Sequence, residues 1–589
     1  MEITGAQLVV KALKAENTDT LFAYPGGQAI DLFNELYNEK EIRIITPRHE
    51  QGLVHAADGY ARASGKTGVC LVTSGPGTTN LVTGIATANI DSVPLVCFTG
   101  QVSSGLIGRE SFQEVNTVQI MKSICKYAVT VRDRRELGEA VRSAFQAARS
   151  GRPGAAVVDL PKDIQQELGS DFYPLCTDDK AEVPVPEEVT DRCLEALRTA
   201  RKPLFLIGGG VHTAGAEKEM TRLAEKTGIP VVTTIMGKGV LPSDHPLYIG
   251  NLGIHGSFAA NMAVSECDVL FAVGTRFNDR ITGNTDSFAD KAVLIHADIE
   301  PDVISRNVPA DISVASDAGK LIRILLKRAK PSGAGEWVSR LNLWKQRHPV
   351  TVKKSTSEEI SARDVTEQIN DLFDSAVITT DVGQNQMWAS QFLQLSEKKK
   401  MLTSGGMGTM GYGFPAAIGA KLGDPRKDVI AICGDGGFQM NIQELATAVL
   451  YELPIIICIL NNGYLGNVRQ WQEMFYERRY SATCTCRRES CMKECKGPSA
   501  QCPSGYIPDF VRLARSYGAE GIRVREVKDI RSALLKAKER KNVPTVIEFI
   551  IGREQNVLPM VSPGKFTGKY DRRRIRGEMK NLGFLVDIP

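Results

Sequence analysis

Residues 428–466 read DVIAICGDGGFQMNIQELATAVLYELPIIICILNNGYLG. An apolar, β-rich run stops at Gly434-Asp435-Gly436. A helical stretch follows, and a second apolar run stops at Asn461-Asn462. This pattern predicts one strand–helix–strand crossover with a polar residue at the carboxyl end of each strand. Open parallel sheets bind ligands at those ends. Asp435 and Asn462 would stand side by side, and a carboxylate with an amide oxygen suits Mg2+, a hard cation that completes its octahedron with phosphate oxygens and water. Gly434, Gly436 and Gly437 let backbone N–H groups approach a diphosphate at a helix N-terminus. Gly-Asp-Gly alone is equally a plain βα turn. It becomes specific through the Asn-Asn strand end one crossover later.

The rest of the chain repeats the theme. GVCLV, VPLVCF, AAVVDL, PLFLIG, DVLFAVG, AVLIHAD, SAVITTD and PTVIEFI read as further buried strands, with amphipathic helical stretches such as VQIMKSICKYA between them. An α/β protein with parallel sheets is expected. At 589 residues the chain exceeds a single core, so three or four domains are expected. Polar stretches at about 166–190 and 330–360, the second with a helix at EWVSRLNLWKQ, divide it into thirds.

Composition is that of a globular protein: 42% hydrophobic, 24% charged, net charge +4. The diffuse charge gives no reason to expect nucleic acid as a partner. The N-terminus reads as an amphipathic helix capped by Thr4, and no apolar run reaches the ~20 residues of a membrane span. A cytoplasmic protein with no membrane partner is expected. Eight of the 13 Cys are scattered, mostly through apolar segments, and suit reduced core positions.

A second segment, TPRHEQGLVHAADGYARASG at 46–65, joins the first. The 428–466 unit resembles the thiamine-diphosphate binding motif of decarboxylases and carboligases, and 46–65 resembles their activating-glutamate segment. The resemblance implies that Asp435, Asn462 and the Tyr464 carbonyl hold Mg2+. It also implies that Glu50 hydrogen-bonds the aminopyrimidine ring and so activates the thiazolium carbon; the cofactor supplies the hard chemistry. Taken alone, Glu50 would be an acid at a helix N-terminus.

Over nearly its whole length the chain is similar to the catalytic subunits of acetolactate synthases. AYPGG (23–27), TSGPGTTNLVTGIATA (73–88), GQV (100–102), FQE (112–114), GRPGAAVVDLPKD (151–163), GMGTMGYGFPAAIGAK (406–421) and QWQEMFYERRYS (470–481) carry the likeness in order. It implies three doubly wound parallel-sheet domains: aminopyrimidine-binding (1–165), central and FAD-binding-like (190–330), and diphosphate- and Mg-binding (360–552), with a tail at 553–589 acting as a lid. Gly26, Gly27, Lys162, Val382, Gly383, Gln384 and Met410 would contact the thiamine cofactor. Gly208, Gly209, Gly210, His255, Gly256, Arg276, Asp298 and Asp317 would contact FAD in a non-redox role. Three glycines after a strand also fit simple helix–strand packing.

Gln113 and Arg280 would act at the reacting centre, Arg280 on the acceptor carboxylate, where a planar guanidinium suits bidentate recognition. Phe112 and Trp471 would line the substrate pocket, Trp471 favouring 2-ketobutyrate. Read from the residues alone, Trp471 is equally a packed aromatic and Arg280 a surface ion pair. The implied reaction decarboxylates pyruvate and condenses the fragment with pyruvate or 2-ketobutyrate, the first common step of branched-chain amino-acid synthesis. The implied assembly is a homodimer or tetramer with a separate regulatory subunit. Another thiamine-diphosphate decarboxylase, carboligase or pyruvate oxidase is the alternative.

Three positions depart from the family. Asn385 replaces a usual His, Asn467 a usual Met, and Ser103 follows GQV. The largest departure is the insertion at 484–505, where Cys484, Cys486, Cys491, Cys495 and Cys502 are spaced C-x-C-x4-C-x3-C-x6-C. Four thiolates could bind Zn2+ or an iron–sulfur cluster, but the spacing matches no strong pattern. A tolerated loop with chance cysteines is the other reading.

Overall fold

The computed structural model describes residues 2–174, 185–354, 356, 358–485 and 507–561. Among them, three six-stranded sheets carry the architecture, all with parallel pairing.

The first sheet is built from β1 (Thr20–Ala23), β2 (Arg43–Ile45), β3 (Gly68–Val72), β4 (Leu95–Gln101), β5 (Tyr127–Thr130) and β6 (Ala155–Pro161), in the order β2-β1-β3-β4-β6-β5. The central sheet contains β7 (Pro203–Ile207), β8 (Val231–Thr233), β9 (Tyr248–Asn251), β10 (Val269–Val273), β11 (Val293–Asp298) and β12 (Ile312–Ala315), in the order β9-β8-β7-β10-β11-β12. The last contains β13 (Ala376–Thr380), β14 (Lys399–Leu402), β15 (Asp428–Gly434), β16 (Ile455–Asn461), β17 (Glu520–Val524) and β18 (Thr545–Ile550), in the order β14-β13-β15-β16-β18-β17. Each order reverses at an inner pair, between β1 and β3, β7 and β10, and β13 and β15, and the first and last turn back again at the β6–β5 and β18–β17 edges. The inner reversal opens a crevice at the strand carboxyl ends.

The ten apolar runs are all strands, and their continuous burial follows from helices covering both sheet faces. One expectation changes. VQIMKSICKYA is helical only over Thr117–Met121, and its end enters β5. Apolar spacing cannot separate a short helix followed by a strand from one longer helix.

The helices that matter for the site are α1 (Gly5–Ala15), α2 (Glu50–Ser64), α3 (Gln384–Phe392), α4 (Gly413–Gly423), α5 (Asp435–Met440) and α6 (Gly466–Phe475). Thr4 caps α1 in a reciprocal capping box with Gln7.

The chain divides into two compact units. One joins the first and last thirds, residues 1–181, 353–393 and 398–556. Its seam is α2 against α4. A Cβ on Gly59 would fall 2.0 Å from the Ala416 carbonyl oxygen, and one on Gly419 1.7 Å from that of Ala56. Only glycine lets the two helices come so close. Along this seam Arg62 is buried with Asp58 (2.8 Å) and Asp91 (3.3 Å), and the Tyr412 hydroxyl donates to Asp58 (2.6 Å). The other unit is the central third with residues 394–397 and 557 onward. The helix expected at EWVSRLNLWKQ is Gly335–Arg347.

Candidate functional site

β15 and β16 pair in register with Gly434 opposite Leu460, so Asp435 follows one strand end and Asn461-Asn462 the other. Asp435 is 1% exposed. Its Oδ2 accepts from the Thr485 hydroxyl at 3.0 Å, and its Oδ1 is buried with no hydrogen-bond partner among the described residues. Burial pushes the carboxyl up to about 6, against the pull of Thr485 and nearby backbone N–H groups, that of Asn462 among them. A buried carboxylate oxygen without a donor is a costly arrangement that a cation relieves. Asn462 is buried too. Its Oδ1 accepts the Tyr464 N–H (3.1 Å) and keeps a second lone pair, while its Nδ2 donates to Gln384 (3.1 Å). The Tyr464 ring has the Arg469 guanidinium 5.4 Å and that of Arg553 5.0 Å from its centre, which holds its backbone in place. The Asp435 carboxylate and the Asn462 amide oxygen are hard oxygen donors of the kind Mg2+ takes. Among the described residues no three His, Cys, Asp or Glu side chains converge, so a metal here would rely on these mixed oxygens.

Gly383 and the Gly434–Gly437 turn line the same crevice. Gly383 precedes α3 at φ 139°, a region open to glycine. A Cβ on Gly436 would meet Leu465 Cδ2 at 2.9 Å and Met410 Cε at 3.0 Å, so Met410 and Leu465 both lie over the turn. Val382 is 4.0 Å from a Cβ position on Gly408, placing it beside the same loop. Gln384 does more than line the crevice. Its Nε2 donates to Gln470 (2.9 Å) and to the Gln555 carbonyl (3.0 Å), tying α6, which carries Trp471, to the Asn462 strand end. Asp381 was missed by sequence reasoning. Fully buried, it accepts the N–H groups of Val382 (2.8 Å), Gly411 (3.0 Å) and Gly413 (3.1 Å), and burial pushes it up to about 6. Its signal was a lone acid at a strand end. Asn385 donates to the carbonyls of Asp381 (2.8 Å) and Ile432 (3.1 Å), so its amide hydrogens are already engaged with backbone.

The first third gathers the other predicted group. A Cβ on Gly26 would clash with Thr73 at 2.5 Å, and Lys162 Nζ donates to the Gly27 carbonyl at 3.0 Å. Glu50 opens α2, its Oε2 accepting from Asn80 at 2.9 Å and its Oε1 facing the Gly77 position. Asn80 was not singled out from the sequence. Gln113, at φ 61°, packs on Gly75, two residues from Gly77, so Glu50, Gln113 and Gly26–Gly27 share one strand edge. Phe112 beside it is 85% exposed, a strongly apolar ring in solvent. Trp471 meets Phe475 edge-on at 6.3 Å.

In the central unit, Gly208 and Gly210 press on Gly274 across the β7–β10 crevice: a Cβ on Gly208 would lie 2.0 Å from the Gly274 carbonyl oxygen. Gly209 faces Met236. Asp298 and Asp317 cap backbone, accepting from Glu300 N (3.0 Å) and Lys320 N (2.9 Å). His255 is half-buried, and desolvation and then the Arg280 charge hold its pKa down to about 4. Gly256 folds tightly on the Asn251 carbonyl, and the Arg276 carbonyl accepts from Asn307 at 3.0 Å. The Arg280 side chain is largely exposed, 3.9 Å from Asp279. Cys484 bridges to Tyr464 in backbone pairing, while Cys486, Cys491, Cys495 and Cys502 lie outside the described residues.

This combination of sheets, glutamate and polar strand ends points to the thiamine pyrophosphate enzymes. The models for that family's N-terminal, central and C-terminal domains match residues 3–120, 190–325 and 381–549. The chain is 42% identical to a probable acetolactate synthase large subunit of Methanocaldococcus jannaschii, covering 98% of this chain and 97% of that one. It is 42% identical to the acetolactate synthase large subunit of Parasynechococcus marenigrum (96% and 90% covered) and 41% to that of Corynebacterium glutamicum (95% and 89%). The chain belongs to the acetolactate synthase large-subunit family.

Proposed function

We propose that this chain is a thiamine-diphosphate-dependent carboligase that decarboxylates pyruvate and joins the two-carbon fragment to pyruvate or 2-ketobutyrate, forming acetolactate or its homologue at the entry to branched-chain amino-acid synthesis. The observation that carries the reading is the Oδ1 of Asp435, buried with no partner among the described residues, beside Asn462 at the end of one parallel crossover. Thiamine diphosphate, when bound, supplies the carbanion that attacks a keto group and the electron sink for loss of carbon dioxide. Asp435, Asn462 and the Tyr464 carbonyl would hold Mg2+ against the diphosphate. Glu50, steadied by Asn80, would hold a proton at the aminopyrimidine ring. Gly26, Gly27, Lys162, Val382, Gly383, Gln384, Gly434, Gly436 and Gly437 would shape the cradle, and Met410 would support its apolar side. Gln113, Phe112 and Trp471 would line the acceptor pocket, with Arg280 pairing the acceptor carboxylate. The tail from Asn556 would exclude water from the reacting centre; Asn556 already bonds Glu473 of α6 (3.1 Å).

FAD without a redox role is assigned to the Gly208–Gly210 crevice, with His255, Gly256, Arg276, Asp298 and Asp317 around it. A homodimer or tetramer, a regulatory small subunit and a cytoplasmic setting complete the proposal, the last supported by buried free thiols at Cys70, Cys97, Cys193, Cys267, Cys433 and Cys458.

The test is a product assay with pyruvate, omitting thiamine diphosphate, Mg2+ and FAD in turn. Acetolactate formation should require the first two and collapse in Glu50→Gln. Acetaldehyde alone, or no product, would move the chain to a sister activity.

A further inference from the structure

Glu444 ends the turn Ile442–Glu444 that follows α5, inside the same crossover as Asp435 and Asn462. Its side chain is fully buried. The carboxylate accepts the Arg48 N–H through both oxygens (3.0 and 3.1 Å), the His49 N–H (3.1 Å) and the Thr447 hydroxyl (2.6 Å). A few residues on, the Tyr451 hydroxyl accepts the Thr46 N–H at 2.8 Å. The loop leading into Glu50 is thus gripped at three N–H groups by residues 444–451. The grip is close enough that a Cβ on Gly52 would fall 2.5 Å from Glu444 Oε1.

A capping role does not account for this carboxylate. His49 already caps α2, its Nδ1 accepting from Gln51 N at 3.1 Å. Burying a carboxylate is costly, and burial raises its pKa here against the pull of its donors. What Glu444 fixes are the Pro47–Arg48 and Arg48–His49 peptide planes, the two that precede the peptide joining His49 to Glu50.

We propose that Glu444 is a positioning residue for Glu50, aligning the activating carboxylate through the Arg48 and His49 backbone. The inference rests on the reading of Glu50 as the group that meets the aminopyrimidine ring. Glu444 thus lies in the crossover that would anchor a diphosphate and, in the same chain, grips the loop that leads into the proton-handling carboxylate.

The experiment uses the full-length chain saturated with thiamine diphosphate and Mg2+, in the variants Glu444→Ala, Glu444→Gln and Glu50→Gln. It reads hydrogen–deuterium exchange at the thiazolium C2 of the bound cofactor by quenched-flow NMR, with cofactor affinity and Tm measured alongside. Glu444→Ala should slow exchange roughly 10–100-fold at full saturation, as expected for a misplaced group. Glu444→Gln keeps an acceptor for both backbone N–H groups and should stay within about threefold of the parent. If Glu444→Ala lowers Tm but leaves exchange unchanged, the residue is structural only and the proposal falls. It also falls if the Gln variant is as slow as the Ala variant. If Glu444→Ala does not fold, Glu444→Asp, which keeps the charge but draws the loop back by one methylene, should slow exchange, and unchanged exchange there overturns the proposal. Unchanged exchange in Glu50→Gln would instead overturn the reading of Glu50, a separate result.

Discussion

The crevice at β13–β15 and the crevice at β7–β10 share a topology and differ in what their polar groups are doing. In the first, Asp435 keeps a buried oxygen without a partner among the described residues, and Asn462 keeps a lone pair. In the second, Asp298 and Asp317 already accept backbone N–H groups, and the glycines are pressed against backbone. The same reversal of strand order thus yields a crevice with a buried, unsatisfied carboxylate oxygen in one unit and a tightly packed glycine seam in the other. Strand order locates a crevice; the unsatisfied groups within it say what it is ready to bind.

The sharpest way to break that contrast is Asp435→Asn. It should weaken Mg2+-dependent thiamine diphosphate binding by at least about 100-fold, measured by titration calorimetry with and without the metal. Unaltered affinity would mean the orphaned oxygen is incidental. Gly208→Ala tests the other side. Its Cβ would meet the Gly274 carbonyl, so a loss of about 1–3 kcal/mol is expected in denaturant unfolding of the central unit. Gly27→Ala, where nothing lies within 4 Å of the Cβ position, should be near neutral for stability. Flavin retained at full occupancy in Gly208→Ala would argue against FAD at that seam.

A further effect concerns pH. His55 is fully buried at the seam between α2 and α4, and burial, then the Arg62 charge, holds its pKa at about 3. An unfolded histidine titrates near ~6.5. Below that value the unfolded chain therefore binds a proton that the folded chain refuses, and stability falls as pH drops from ~6.5 towards 3. His55→Leu should remove up to about 1.4 kcal/mol per pH unit of that acid sensitivity, read from urea midpoints between pH 6.5 and 5. An unchanged slope would show that His55 does not titrate differently in the two states.

Much of this was legible in the sequence because it is local. The strand ends at Gly434 and Asn461, the glycines after them and Glu50 at a helix start are written in runs of a few residues, and apolar continuity marks buried parallel strands. Contacts between distant segments were not legible. Glu444 reaches Arg48 across 396 positions, Asn80 reaches Glu50 across 30, and no spacing rule links either pair. Asp381 was overlooked because an acid at a strand end carries no signature beyond its place. Gln384 looked like a cofactor contact, and the geometry adds a structural duty to α6 that its neighbours in the chain do not reveal.

The glycine contacts between α2 and α4 have a consequence for how the chain opens. With carbonyls nearly touching the facing helix, no partial separation leaves the seam half-packed: the helices are docked or they are apart. Local fluctuations that would expose the α2 amides without the α4 amides are therefore suppressed. In native-state hydrogen exchange, amides of both helices should fall into one slowest class, opening only when the first and last thirds unfold together.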